Sequence, residues 1–258
     1  MRRFYLGTHE PSWLADPRFA FTPLFVSRRR LVRYRRRLPR ALGEWALDSG
    51  GFTELSMYGR WTVSAAQYVS EVRRFRDEVG GMLWAAPQDW MCEPMVLERT
   101  GLTVTEHQQR TVENLLELRA LAPDLPWTPV LQGFTGEDYQ RCRERYADAG
   151  VLLEREPLVG LGTICRRQGT LEAEDIVRDL RRAGLRIHAF GAKTTGLVRY
   201  AAAVESADSL AWSFGARKQP PLPGCTHTKC NNCPLWALRW CRKLHHRLDG
   251  PPERNEES

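Results

Sequence analysis

Short β-prone runs, each closed by polar residues and most of them followed by an apolar pattern of helical period, predict an α/β fold for this chain of 258 residues. About eight such runs occur, the number that closes a (β/α)8 TIM-type barrel. A Cys/His cluster behind a proline-rich stretch adds a C-terminal zinc-binding subdomain to the expectation. The expected division is a barrel over 1–217, a zinc-binding Cys/His segment with a helix over 218–248, and a disordered tail over 249–258.

Strands are expected at Arg3–Leu6, Phe21–Val26, Trp45–Leu47, Met82–Ala86, Thr128–Leu131, Leu158–Leu161, Arg186–Phe190 and Ser209–Trp212. Between them, Ser64–Val79 keeps Tyr68, Val69, Val72, Phe75 and Val79 on one face, with Ser64 as N-cap and Gly80-Gly81 as the stop. A capping box is expected at Thr105-x-x-Gln108, opening a helix that ends before Pro123. Helices are also expected at Gly136–Ala149, Thr170–Ala183, Thr195–Val204 and Pro234–Leu248. The arginine-rich run Arg28–Arg40, with Leu31, Val32, Tyr34 and Leu38 interleaved, reads as a basic amphipathic helix.

Composition narrows the function classes. With 42% hydrophobic residues the chain can fill a sizeable core, yet no apolar run approaches the roughly 20 residues of a bilayer span. The start, Met1 to His9, lacks the apolar stretch of a secretory signal, so a cytoplasmic protein is expected. The net charge is +7, with much of the excess in the arginine run. Arg28, Arg29, Arg30, Arg33, Arg36 and Arg37 are therefore either a solvated face or contacts to the phosphates of a nucleic acid. Four of the seven cysteines lie between Cys225 and Cys241, a clustering that suits a metal in a reducing compartment better than a disulfide framework.

In a barrel of this class the reactive groups sit where strands end. Those points carry Asp48-Ser49-Gly50-Gly51, Gln88-Asp89, Gln132-Gly133, Gly162-Thr163 and Gly191, with Asp208 beside the last strand. An aspartate at a strand end is often just a helix cap; three at one mouth suggest chemistry, as nucleophile, acid/base, or acceptor for ring N–H groups. The glycines admit a ligand close to backbone N–H groups. His188 and Lys193 read as ordinary core or surface residues. The cluster Cys225-x-His227-x2-Cys230-x2-Cys233 has the donor density of a structural tetrahedral Zn2+ site, with Cys241, His245 and His246 as alternative ligands.

Leu47-Asp48-Ser49-Gly50-Gly51-Phe52 resembles the aspartate-serine-glycine-glycine-aromatic motif of the tRNA-guanine transglycosylases. Ala86–Asp89, Val130–Gly133, Val159–Gly162, Phe190-Gly191 and Ser206–Ser209 resemble further segments of that family in the same chain order, and Cys225-x-His227-x2-Cys230 keeps its metal-ligand spacing with histidine at the middle cysteine. The short chain and the altered ligands are similar to the compact DpdA-type DNA 7-deazaguanine transglycosylases. The resemblance implies a pentosyltransferase that exchanges guanine in DNA for a preQ0-like base. In that role Asp208 is the nucleophile and Asp48 the second catalytic carboxylate, and Asp89, Gln132, Ser49, Gly50, Gly51, Gly162 and Gly191 hold the base. It also implies nucleic acid, a 7-deazaguanine base and a helper ATPase as candidate partners, in a bacterial or phage-infected cell. Alternatives are a tRNA or free-nucleotide enzyme, or a non-catalytic nucleic-acid-binding subunit.

Overall fold

The computed structural model describes residues 1–164 and 170–249. Its strands are β1 (Arg3–Thr8), β2 (Leu24–Ser27), β3 (Trp45–Asp48), β4 (Met82–Ala85), β5 (Val130–Leu131), β6 (Val159–Leu161), β7 (Ile187–Ala189) and β8 (Ser206–Ser209). The helices are α1 (Arg28–Leu31), α2 (Gly51–Tyr58), α3 (Ala65–Val79), α4 (Pro94–Thr100), α5 (Val104–Leu121), α6 (Gly136–Asp148), α7 (Leu171–Arg182), α8 (Thr194–Tyr200), α9 (Ala211–Arg217) and α10 (Pro234–Asp249). The strands pair in parallel in the order β4-β3-β2-β1-β8-β7-β6-β5, so the first strand lies beside the last and the sheet curls into a barrel. At the β4/β5 seam one bridge, Ala85 to Trp127, joins the two edges. There Ala85 N–H donates to Pro126 O at 3.0 Å and Thr128 N–H to Ala85 O at 3.1 Å. Among the described residues, no helix is long and apolar enough to cross a membrane.

The side-chain period of two along a strand decides what faces the barrel axis. Phe4, Leu6, Leu24, Val26, Trp45, Leu47, Ile187 and Ala189 pack outward in the main core beneath the helices. The alternate positions Tyr5, Phe25, Ala46 and Trp84 form a separate inner cluster, joined by Phe190. His188 sits in the same inner layer, fully buried, with Trp84 at 4.7 Å and Phe190 at 4.8 Å between ring centroids. The register sets Tyr5 beside Asp208 and Ser27 beside Asp48. Gly160 is small for a reason: a Cβ there would lie 2.5 Å from the Phe190 ring.

Several expectations change. The second strand begins at Leu24, because Pro23 has no N–H to give a ladder and Phe21 is fully exposed. The last strand is Ser206–Ser209, not Ser209–Trp212; Trp212 lies in α9, where its indole N–H donates to Gly7 O at 2.8 Å. The capping box of α5 is Thr103 with Glu106, two residues before the expected Thr105 and Gln108. Gln108 is instead buried and donates to the carbonyls of Gln132 and Asp138 at 2.8 and 2.7 Å. The helix expected at Thr195–Val204 is α8 followed by a 3-10 turn at Ala201–Ala203.

The arginine run is not an amphipathic helix. Only Arg28–Leu31 is helical, and the chain then folds along α3. There the carbonyls of Tyr34 and Arg36 accept from Arg74, and Leu38 N–H donates to Glu78. A continuous helix would stack like charges at i, i+3 and i+4; pairing with α3 removes that repulsion. The sequence reading missed α2, α4 and α9. At the C-terminus, Ala237, Cys241 and Leu244 of α10 enter the main core, and Trp240 packs on Phe4 with ring centroids 6.0 Å apart. The tail expected from Asp249 on lies, from residue 250, outside the described residues.

Candidate active site

The strand ends enclose a cavity of about 600 Å3, within the range of roughly 300–1,000 Å3 typical of ligand sites. Asp48, Asp89 and Asp208 all line it, with Ser49, Gln132, Gly162 and Gly191. Phe25, Phe52, Met91 and Phe190 add apolar wall, and Arg29, Arg30 and Arg33 lie on the same cavity.

Each carboxylate is held differently. Asp208, on β8, accepts from Gly191 N–H at 2.8 Å and lies 3.3 Å from His188 Nε2, both on Oδ1. Gly191 takes a φ of 59°, a left-handed conformation that glycine adopts without strain and that brings its N–H to this carboxylate. Asp48 accepts from Gly50 N–H at 3.1 Å, closing the turn into α2. Burial raises the Asp48 carboxyl above its ordinary range; the Gly50 and Ser27 donors oppose that and the charge of Asp208 adds to it.

Asp89 is positioned by the loop after β4, which α5 pins from behind: Gln88 N–H donates to Asn114 and Trp90 N–H to Thr111, each at 2.8 Å. Burial pushes its carboxyl up to about 7, against the Gln132 donor and assisted by the charges of Asp48 and Glu93. Gln132 Nε2 donates to Asp89 Oδ2 at 2.5 Å, and the Thr163 hydroxyl lies 2.6 Å from Gln132 Oε1. The Ser49 hydroxyl is 3.4 Å from Asp89 Oδ1.

Gly162 serves this chain of contacts by its size: a Cβ there would stand 2.3 Å from Gln132 Nε2. Its backbone is engaged as well, the N–H with Leu131 O at 3.0 Å and the carbonyl with the Tyr139 hydroxyl at 2.7 Å. Gly51 plays a packing part, with Met91 and Trp61 within 2.8 and 3.0 Å of a would-be Cβ.

The six arginines divide. Arg29, Arg30 and Arg33 border the cavity. Arg28 is buried and ion-paired with Glu71 at 2.5 Å and Glu54 at 3.5 Å, so its expected exposure to a partner is corrected. Arg36 and Arg37 are exposed and away from the cavity lining. Arg29 also pairs with Glu54, at 2.8 Å, and Glu54 accepts from Thr62 N–H at 3.0 Å. The wall carrying Arg29 is thereby tied to α2.

Sequence reasoning passed over three contributors. His188 looked like a core histidine; its alternation with Phe190, the residue just after β7, was the available signal for an inward position. Thr163 carries the positive φ of 58°, unusual for a β-branched residue, and lies 2.8 Å from Cys92 N–H as well as beside Gln132. His9 shares the cavity with Arg30, at 3.3 Å, and burial lowers its pKa.

Away from the cavity, the ligand atoms of Cys225, His227, Cys230 and Cys233 lie within 4.8 Å of one another. Cys225 Sγ is 3.9 Å from both Cys230 Sγ and Cys233 Sγ, close to the edge of about 3.8 Å set by tetrahedral metal–thiolate bonds of about 2.3 Å. Leu222 N–H donates to Cys230 Sγ at 3.4 Å, an outer contact of the kind that orients a metal-bound thiolate. The donor set and the spacing fit a metal ion. Cys241 and His245 are not in the group; they adjoin each other at 4.0 Å, with Cys241 in the main core.

With that geometry in view, comparison with known families is decisive. The family described as DpdA, DeoxyPurine in DNA protein A, matches residues 1–252. The chain belongs to the DpdA family. No curated protein matches it significantly. Membership in DpdA supports a general deazapurine-related transglycosylase role on DNA for the chain.

The Asp89 carboxyl has a stability consequence. Its folded-state value lies above the ordinary 3.8, so the folded protein holds the proton more tightly. Its stabilising contribution is complete below about pH 4 and is lost as pH rises to about 7, an effect of roughly 4 kcal/mol. Asp89→Asn keeps an acceptor for Gln132 without titrating. In urea unfolding from pH 4 to 8 the variant should gain stability relative to wild type up to about pH 7 and then hold level; a constant difference across that range contradicts the assignment.

Proposed function

We propose that this DpdA-family protein exchanges guanine in DNA for a 7-deazaguanine base, preQ0-like, through a covalent glycosyl–Asp208 intermediate. The observation that carries the reading is the convergence of Asp48, Asp89, Asp208 and Gln132 on one cavity. Asp208 has Oδ1 engaged by Gly191 and His188, and among the described residues no hydrogen bond engages Oδ2. Oδ2 attacks C1′ of the target nucleotide; the C1′–Oδ2 bond forms as the C1′–N9 bond breaks. The departing guanine takes a proton on its five-membered ring from Asp48, whose raised pKa favours the acid. The incoming base then attacks C1′ through N9, the carboxylate leaves, and the N9 proton returns to Asp48. Two inversions retain configuration, as in retaining glycosidases.

Asp89 is the acceptor for the N1 and N2 donors of either base, and those donors draw it into the ionised form. Gln132, hydrogen-bonded to Asp89 and with its amide oriented by Thr163, recognises the adjoining carbonyl side of the base. Because Gly162 already has both backbone groups engaged, its part is to leave room for Gln132. Ser49 lines the cavity beside Asp89 and meets the base, whereas Gly50 and Gly51, expected to hold it, are not among the lining residues and serve the turn into α2. The target nucleotide must leave its stack to reach so enclosed a set of groups, and Arg29, Arg30 and Arg33 offer contacts to the flanking phosphates. Arg36 and Arg37 offer outer contacts only. Cys225, His227, Cys230 and Cys233 hold Zn2+, which stabilises the C-terminal segment and takes no part in the exchange.

Two measurements test this. Asp208→Ala should lower exchange of labelled guanine into DNA by at least about 1,000-fold while DNA binding persists; exchange at the wild-type rate contradicts the nucleophile assignment. Metal analysis should find about one zinc per chain, reduced in Cys230→Ala. A full complement in the variant removes Cys230 from the ligand set.

A further inference from the structure

The geometry points to His188, steadied by Ser206, as a positioning residue that speeds breakdown of the glycosyl–Asp208 intermediate; the inference rests on the exchange reading above. His188 is fully buried, and both ring nitrogens are engaged. Nδ1 lies 2.8 Å from Ser206 Oγ and Nε2 lies 3.3 Å from Asp208 Oδ1. The ring is walled by Tyr5, Phe25, Trp84 and Phe190, at centroid distances of 5.7, 5.7, 4.7 and 4.8 Å.

Four aromatic walls leave the imidazole no room to turn, so its hydrogen bonds are aimed before substrate arrives. An ionised carboxylate only accepts, so the proton between the two groups is on Nε2 whether the ring is neutral or charged. In the neutral ring Nδ1 is the acceptor and the Ser206 hydroxyl donates to it. The chain Ser206, His188, Asp208 therefore delivers one N–H to Oδ1, beside that of Gly191.

What this does differs between the half-reactions. While the C1′–Oδ2 bond forms, negative charge leaves the carboxylate, and donors on Oδ1 hold it back. While that bond breaks, the electron pair and its charge return to the carboxylate, and the same donors stabilise the departing group in an enclosure of low dielectric. The balance favours release of Asp208, and the intermediate stays short-lived. The alternation of β7 and β8 puts all three groups on the inner face of adjacent strands, which pair His188 with Ser206.

The test measures steady exchange of labelled guanine into duplex DNA and, in parallel, the fraction of enzyme trapped on DNA as a denaturant-resistant adduct. His188→Phe keeps the ring volume without the donor. It should lower turnover by roughly 10- to 100-fold, the range expected for one hydrogen bond to a charged group, while the trapped fraction rises. His188→Gln, which restores an N–H at similar reach, should recover most of the turnover and lower the adduct again. Ser206→Ala should shift both readouts the same way, to a smaller extent, and is the deciding variant if His188→Phe does not fold.

Turnover and adduct falling in proportion, or equal behaviour of the Phe and Gln variants, overturns the inference and leaves exchange by Asp208 intact. A wild-type protein that neither exchanges guanine nor forms an adduct overturns the exchange reading, and this inference with it.

Discussion

Enclosing three carboxyl groups in one barrel mouth is the constraint from which the rest of this structure follows. Like charges brought together away from water are unfavourable unless each is supplied with donors or keeps its proton. Asp208 is supplied by Gly191 and His188. Asp48 has the Gly50 N–H and the Ser27 hydroxyl, and its pKa still rises. Asp89 has Gln132 and reaches about 7. The three environments differ: Asp208 has two donors on one oxygen, burial favours the acid form of Asp48, and burial raises Asp89 further, a difference that the proposed base exchange would use.

Those environments are built by residues outside the cavity. The loop bearing Asp89 is held by Asn114 and Thr111 of α5, and Gln132 by Gln108 of the same helix. On the opposite wall Glu54 gathers Arg28, Arg29 and Thr62, joining α1, α2 and the chain that follows. Removing one partner from such a buried ionic group commonly costs about 3–5 kcal/mol. The basic run thus has two parts: Arg28 serves the fold, and Arg29, Arg30 and Arg33 face the space where a polyanion would approach.

Much of this was legible in the sequence because barrel strands carry their information locally. Trp45-Ala46-Leu47-Asp48 states its own alternation, and the polar residue at its end falls at the mouth. The Cys/His spacing likewise pointed to Cys225, His227, Cys230 and Cys233, which the fold brings together, while only the fold separates Cys241 and His245 from that group. What sequence did not give depends on partners distant along the chain. The register of β8 is set by pairing with β1, so its start at Ser206 could not be read from Ser209–Trp212 alone. Gln108 left the capping position for carbonyls that only the fold brings near. Arg28 to Arg40 has helical spacing, but α3 supplies competing partners for its backbone and charges. His188 looks like a core residue because it is one; its contacts with Ser206 and Asp208, on which the proposed role rests, exist only where β7 meets β8.

The central claim is that Asp208, and no other carboxylate of the cavity, bonds covalently to the sugar. The most direct measurement is to stop the wild-type reaction with DNA by acid, digest protein and nucleic acid, and map the modified peptide by mass spectrometry. The account predicts a deoxyribose-linked fragment on the peptide carrying Asp208. The same mass addition on the peptide carrying Asp48 or Asp89, or on none during active exchange, would contradict it.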